Sequence, residues 1–265
     1  MVSVKLYGRM GNQYFQAFCA IAYALKHGLD YHIPAHTLND SVWNPAITHL
    51  ENPEWNPSVQ TIILTEKSHA YEEIPFKEEW RNINIVIDGY RQSELYFKDY
   101  LIQIREIMLF DCSVKNRRTV ALHVRRGDYV KLSSKHPCVT YEYICESAHF
   151  INGIMPLRPM FIVFSDDIDW CKNNLIGFNK LFDPILNADS VLFSEGKSDS
   201  EDFLLMLGCA NFIISNSTFS LIAAILSDSQ NKICISPSKE NWFGEDNKHL
   251  STETIIPDYF HQIKY

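Results

Sequence analysis

Apolar and polar positions recur along this chain with two different periods, which predict strands and helices in succession. The apolar runs Val2 to Tyr7 and Thr119 to Val124 are typical of strands, and the second has the composition of a buried parallel strand. From Asn12 to His27, apolar residues return every three or four positions, which predicts a helix that Gly28 ends. Because strands and helices alternate, the pattern favours an α/β fold with parallel sheets.

The same patterns predict the other elements, while the proline-bearing stretch 31–80 is expected to be irregular. Strands are predicted at 83–87, 160–164, 212–215 and 232–236, and helices at 93–110, 140–153, 168–174, 200–209 and 218–226. The polar run 115–118 separates two halves. We therefore expect an N-terminal domain over 1–115, a C-terminal domain over 116–250 and a final segment, 251–265, packed against the N-terminal domain.

Composition narrows the classes of function. The 265 residues carry a formal net charge of −8, so a broad nucleic-acid surface is not expected, although a few arginines can still bind a small anion. The seven cysteines form no CxxC pair, which favours reduced thiols in a cytosolic protein. The first residues lack the apolar core of a signal peptide, and no apolar stretch approaches membrane-spanning length.

The first candidate site is the turn between the first strand and the first helix. Its residues, Gly8 to Gln13, have the spacing G-x-x-G rather than the dinucleotide fingerprint G-x-G-x-x-G. Glycines and a helix start can accommodate a phosphate, but a simple tight turn explains the same residues and is favoured from spacing alone.

The second candidate site is the run from His123 to Asp128. Arg125 and Arg126 end an apolar strand there, and buried guanidinium groups need anionic partners. A ligand pyrophosphate would suit the planar fork of arginine. A structural ion-pair network anchored by Asp128 would satisfy the same charges, and the spacing favours neither interpretation.

A third cluster combines the segments 165–167 and 215–220. Asp166 and Asp167 follow a predicted strand, where carboxylates can accept N–H groups from a guanine edge. Asn216 and the hydroxyl residues Ser217, Thr218 and Ser220 precede or begin a helix, where they can bind phosphate. Ordinary helix capping explains each motif taken alone, and no third ligand at a suggestive spacing supports a metal at the two aspartates.

Taken in order, these motifs resemble glycosyltransferase family 11, the α-1,2-fucosyltransferases of bacterial type. Each block stands in the order in which the family has it. The blocks are GRMGNQYFQ at 8–16, DGYRQSELYF at 88–97, HVRRGDYV at 123–130, FSDDIDWC at 164–171, FLLM at 203–206, NSTFS at 216–220 and WF at 242–243.

The resemblance implies a GT-B fold of two Rossmann-like halves facing a cleft. It also implies transfer of L-fucose from GDP-β-L-fucose, with inversion and without a metal or other cofactor, to a glycan hydroxyl, most commonly O2 of galactose. Arg125 would stabilise the β-phosphate, with Asn12 and Asp128 as further catalytic candidates and Arg126 in a structural pair with Asp128. The donor would be bound by Gly8, Gly11, Asn12, His123, Arg125, Asp166, Asp167, Asn216, Ser217, Thr218 and Ser220.

The acceptor would be an oligosaccharide or a lipid-linked glycan, and the enzyme would be cytosolic, able to touch the inner membrane where such an acceptor is made. Leu221 to Leu226 replace the family's aromatic W-W-G-A-W-L, so we expect this helix to pack differently and the donor or acceptor pocket to be altered. Trp43, Trp55 and Trp80 are more typical of a core than of a sugar platform. A transferase for another nucleotide sugar and a non-catalytic sugar-binding module are the alternatives.

Overall fold

The computed structural model describes residues 1–34, 53–114, 116–175 and 190–265. It contains two compact units, one of Met1–Phe110 with Ser251–Pro257 and one of Asp111–Leu250 with Asp258–Tyr265. Each unit has a parallel sheet with helices, so the architecture is mixed α/β. Within the described ranges, no helix is both long and apolar enough to cross a membrane.

The sheet of the first unit has four parallel strands in the order β2-β1-β4-β3. They are β1 (Val2–Val4), β2 (Tyr31–His32), β3 (Thr61–Thr65) and β4 (Asn84–Asp88). Helix α1 (Met10–His27) follows β1 and buries most of its residues. As predicted, it ends at Gly28, whose φ of 62° is the left-handed conformation that glycine adopts without strain. Of the three tryptophans named above, Trp43 lies outside the described residues, and Trp55 and Trp80 are partly buried.

The prediction of one helix over 93–110 is wrong for the first half of that range. Short 3-10 turns occupy Glu94–Tyr96 and Lys98–Tyr100, and only α2 (Leu101–Ile107) is α-helical. Phe97, between the two turns, has a φ of −142°, and its buried ring packs edge-on against Phe15 and Phe18 of α1. Tertiary packing of that ring therefore overrides the local helical pattern.

The sheet of the second unit has six parallel strands in the order β10-β9-β8-β5-β6-β7. They are β5 (Asn116–Val124), β6 (Met160–Ser165), β7 (Val191–Phe193), β8 (Cys209–Ile213), β9 (Cys234–Pro237) and β10 (His261–Ile263). The helices are α3 (Tyr141–Ile154), α4 (Ile168–Leu175), α5 (Asp199–Leu207) and α6 (Thr218–Leu226). The sequence patterns had not predicted β7 and β10, which have three residues each.

The C-terminal segment is divided between the units, whereas all of 251–265 was expected to pack on the N-terminal domain. Ser251–Pro257 does group with the first unit, where the backbone N–H of Tyr71 donates to Thr254 Oγ1 at 2.7 Å. Asp258–Tyr265 groups with the second unit because β10 pairs with β9 and so satisfies backbone groups that an edge strand would expose. The prediction was wrong for those last residues.

Helix α6 lies where the sequence predicted it, and its aliphatic residues belong to the core. Leu221 to Leu226 are at most 1% exposed. The aliphatic side chains that stand in place of the family's aromatic ones therefore contribute to the packing of the second unit.

We expect Leu221→Ala to lower the free energy of unfolding by about 2 to 5 kcal/mol, because it removes a fully buried side chain and leaves a cavity. Leu204→Ala is the matched control, since Leu204 on α5 is 49% exposed and should change stability by less than about 1 kcal/mol. Urea unfolding measures both. Equal losses in the two variants would contradict the burial of α6.

Candidate functional site

Three polar segments of the second unit follow three neighbouring parallel strands. Strand β5 lies between β6 and β8, with Val124 opposite Ser165 and Leu122 opposite Ile213. The segment 123–128 therefore leaves the sheet beside 165–167 on one side and 215–220 on the other. The carboxyl ends of parallel strands are where such sheets bind ligands.

Two serines fix the end of β5. The Ser215 hydroxyl donates to the carbonyl of His123 at 2.6 Å and accepts from the backbone N–H of Arg125 at 2.9 Å. On the other side, the Ser165 hydroxyl donates to the carbonyl of Val124 at 2.7 Å. The backbone that carries the arginines is thus bonded to both neighbouring strands.

The two arginines form an ion-pair network with three carboxylates. Arg125 pairs with Asp128 and, at 2.7 Å, with Asp166, while Arg126 pairs with Asp167 at 3.0 Å. The expectation that Arg126 would pair with Asp128 was wrong. The turn after Arg126 instead brings Asp128 back to Arg125, three residues earlier, and Arg126 lies over the Trp170 ring at 3.8 Å.

Both carboxylates after β6 are bonded to backbone as well as to arginine. Asp166 Oδ1 accepts from the backbone N–H of Arg126 at 2.8 Å. Asp167 Oδ1 accepts from the N–H of Trp170 in the first turn of α4 at 3.3 Å. This is the helix-capping role that the sequence allowed for the aspartates. A Cβ atom on Gly127 would lie 2.2 Å from Asp166 Oδ2, so a larger residue here would displace that carboxylate.

His123 and Ser220, both expected to touch the donor, form a buried pair. His123 Nδ1 lies 2.8 Å from the Ser220 hydroxyl, and the two residues are 6% and 0% exposed. Burial, helped by the charge of Arg125, lowers the pKa of His123 to about 3, so the ring is neutral at physiological pH. In this structure the pair supports β5 and α6 from the interior of the unit.

Asn216, Ser217 and Thr218 form the entrance to α6. The Asn216 side-chain amide donates to the carbonyls of Pro137 and Trp242, both at 3.0 Å. Its Oδ1 atom is buried and has no hydrogen-bond partner among the described residues. The Ser217 side chain makes no capping bond, and Thr218 is partly exposed.

Tyr129 is a member of the site that sequence reasoning did not assign. Its ring centroid lies 5.2 Å from the guanidinium carbon of Arg125, and its ring stacks nearly parallel on that of His136, with the centroids 5.0 Å apart. The Tyr129 hydroxyl donates to the carbonyl of Asn216 at 3.3 Å. Its place in the block HVRRGDYV at 123–130 was the signal in the sequence that could have found it.

The N-terminal candidates lie together in the first unit. Gly8 has a φ of 70°, and a Cβ atom there would lie 2.3 Å from Asn12 Nδ2. Asn12 Oδ1 accepts from Gln92 Nε2 at 2.9 Å, and Gly11 is buried in the first turn of α1. The segment from Gly8 therefore forms a tight turn, in which the side-chain amide of Asn12 lies between Gly8 and Gln92.

No group of three or more His, Cys, Asp or Glu side chains that could hold a metal ion occurs in the part of the chain that the structure describes.

Comparison with known proteins gives a family and several relatives. The family model described as glycosyl transferase family 11 matches residues 65–252. An alpha-1,2-colitosyltransferase of Escherichia coli is 33% identical over 66% of this chain and 61% of its own length. The O-antigen biosynthesis glycosyltransferase WbnK of Escherichia coli is 32% identical over 57% of this chain and 51% of its own length.

A galactoside alpha-(1,2)-fucosyltransferase 2 of Hylobates lar is 26% identical over 85% of this chain and 69% of its own length. The chain thus spans about half to three-fifths of the length of the two Escherichia coli relatives. Among solved structures, this chain is similar to an alpha-1,6-fucosyltransferase NodZ soaked with GDP-fucose. The match extends over 91% of this chain and 96% of the NodZ chain, with 14% sequence identity and a TM-score of 0.47.

We expect Gly127→Ala to lower the free energy of unfolding by roughly 1 to 3 kcal/mol, because the new methyl group must displace the Asp166 carboxylate from Arg125. Gly153→Ala is the matched control: nothing lies within 4 Å of its added Cβ, and alanine in α3 should stabilise by about 0.5 to 1 kcal/mol. Denaturant unfolding distinguishes them. A Gly127→Ala variant as stable as the parent would contradict the close approach of Asp166.

Proposed function

Since the chain belongs to glycosyl transferase family 11, we propose that it transfers L-fucose from GDP-β-L-fucose to a glycan hydroxyl, with inversion to an α-fucoside. The observation that carries this proposal is the fixed Arg125 guanidinium at the carboxyl ends of three parallel strands. The α-1,2 linkage in the names of several relatives supports O2 of a galactose as the hydroxyl.

We propose that the second unit binds the nucleotide and the first unit the acceptor, in the GT-B arrangement. The acceptor is an oligosaccharide or a lipid-linked glycan, and the site of action is the cytoplasmic side of the inner membrane. Two separate parallel α/β units support this assignment.

Arg125 performs the central electrostatic step. When the bond between fucose and GDP breaks, negative charge develops on the β-phosphate, and a fixed cation lowers the energy of that transition state. A guanidinium group has five N–H donors. Asp128 pairs with one terminal nitrogen of Arg125 and Asp166 with the other, so the remaining N–H groups can reach a phosphate. The two carboxylates and the Tyr129 ring hold the group in place before the donor binds.

The other donor contacts belong to the same proposal. Ser217 and Thr218, at the N-terminus of α6, bind phosphate, and Asp166 or Asp167 accepts N–H groups from guanine. In the first unit, Gly8, Gly11 and Asn12 steady the sugar and pyrophosphate. Asp128 acts through Arg125, because their ion pair holds the guanidinium group in position. His123 and Ser220 support this surface from behind.

A second donor is favoured by one observation. The relative with 33% identity is named a colitosyltransferase, and colitose is L-fucose without its 3-hydroxyl group. The same phosphate site would bind the GDP group of either donor. The preference between GDP-fucose and GDP-colitose would therefore depend on whether the protein forms a hydrogen bond with the 3-hydroxyl group of fucose. Competition between the two GDP-sugars in one assay determines which is the better donor.

We expect Arg125→Ala to reduce turnover of GDP-fucose by on the order of 10²-fold or more, because the β-phosphate loses its cation. Arg118→Ala is the matched control, since Arg118 is exposed at the far end of the same strand. GDP release, with and without a galactoside acceptor, measures the effect. Turnover of UDP-sugars alone would refute the fucose proposal, and tight GDP binding without any turnover would favour a binding module.

We also expect EDTA to leave turnover unchanged, because arginine rather than a metal neutralises the leaving group. The measurement is GDP release in metal-free buffer before and after chelation. Loss of activity that Mg²⁺ restores would overturn the metal-free mechanism.

A further inference from the structure

Three neighbouring strands of the first unit end at one edge of their sheet, and an aromatic side chain follows each of them. Strand β4 lies between β1 and β3, with Ile87 opposite both Val4 and Leu64. Tyr7 follows β1, His69 follows β3 and Tyr90 follows β4. The carboxyl ends of parallel strands are the usual place for a ligand.

The three rings form one cluster around Tyr90. The ring centroid of Tyr90 lies 6.1 Å from that of Tyr7 and 5.7 Å from that of His69, with tilts of 44° and 43°. Tyr90 is 37% exposed. A large aromatic ring kept partly in water at the ligand-binding edge of a sheet is available to stack on a ligand.

A carboxylate lies next to these rings. Asp88 Oδ1 accepts from the Tyr7 hydroxyl at 2.8 Å, and Oδ2 accepts from Lys5 Nζ at 2.7 Å. Burial opposes ionisation, but these hydrogen bonds outweigh it and hold the pKa of Asp88 below its ordinary value. Because each carboxylate oxygen has a second lone pair, Asp88 can also accept from ligand hydroxyl groups.

Glu66 holds the loop that carries Tyr90. Its carboxylate accepts from the backbone N–H groups of Tyr90 at 2.8 Å and of Arg91 at 3.0 Å. Gly89, with a φ of 135°, lets Glu66 approach, since a Cβ there would lie 2.3 Å from that of Glu66. The rings are therefore positioned before any ligand arrives, which reduces the entropy lost on binding.

We propose that Tyr7, His69, Tyr90 and Asp88 form the subsite for a pyranose ring of the acceptor glycan. Aromatic faces pack against the C–H face of a sugar, and an ionised carboxylate accepts hydrogen bonds from its hydroxyl groups. This subsite rests on the proposed function, because it takes the substrate that receives the fucose. It lies in the same unit as Asn12, and Tyr7 stands between β1 and α1, the helix that carries Asn12.

The experiment compares Tyr90→Leu, which removes the ring, with Tyr90→Phe, which keeps it. With lactose as acceptor, Tyr90→Leu should raise the KM for lactose roughly tenfold or more, while Tyr90→Phe stays within about threefold of the parent. The KM for GDP-fucose and its slow hydrolysis without acceptor should not change in either variant. Tyr259→Leu is the matched control, a 50% exposed tyrosine of the second unit. Thermal melting confirms that each variant is folded.

Saturation-transfer NMR with lactose gives a readout that does not depend on catalysis. Transfer to lactose protons should appear with the parent, Tyr90→Phe and Tyr259→Leu, and should be lost with Tyr90→Leu. Unchanged transfer in Tyr90→Leu, or none with the parent, would overturn the acceptor subsite even if GDP-fucose is still hydrolysed. Absence of GDP release from GDP-fucose by the parent, both with and without a galactoside acceptor, would instead overturn the proposed function.

Discussion

A guanidinium charge at the end of a buried parallel strand must be neutralised, and this requirement organises the site of the second unit. Arg125 has Asp128 on its own turn and Asp166 from the next strand, while Ser215 on the other side holds its backbone N–H group. Glycine at position 127 leaves room for Asp166, whose carboxylate a larger residue would displace. The ion-pair network and the phosphate site, which competed as interpretations of the sequence, are thus compatible: the network fixes the cation that the proposed reaction needs.

The first unit follows the same plan with different side chains. Its sheet also collects polar residues at the carboxyl ends of parallel strands, and a partly buried carboxylate, Glu66, again fixes the backbone of a loop by accepting N–H groups. Here the result is an exposed aromatic surface around Tyr90 rather than a cationic one. This difference matches the chemistry proposed for the two units, because a nucleotide diphosphate needs positive charge whereas a neutral sugar needs ring faces and hydrogen-bond acceptors.

Long helices and strands whose apolar residues recur with one clear spacing were predicted well. The start and end of α6 agree with the prediction, and α1 and β5 differ from it by a few residues at one end, since many apolar positions specify each element. Strands β7 and β10 were missed because three residues carry too little pattern, and they form by pairing with strands already present. The region 93–110 was misread because the burial of Phe97 against α1 interrupts the helix, a contact between residues some 80 positions apart that no local pattern contains.

The sequence by itself determined the α/β class, the family, and which polar segments follow which strands, because periodicity and ordered motifs are local properties of the chain. Only the tertiary structure decided the partners within the site. The strand order β8-β5-β6 brings Ser215 and Asp166 to Arg125 from 90 and 41 residues away in the chain. Arg126 instead pairs with Asp167 and lies over the ring of Trp170. The same packing buries His123 with Ser220, since the side chains of a strand alternate between faces and only the folded sheet shows which face a helix covers.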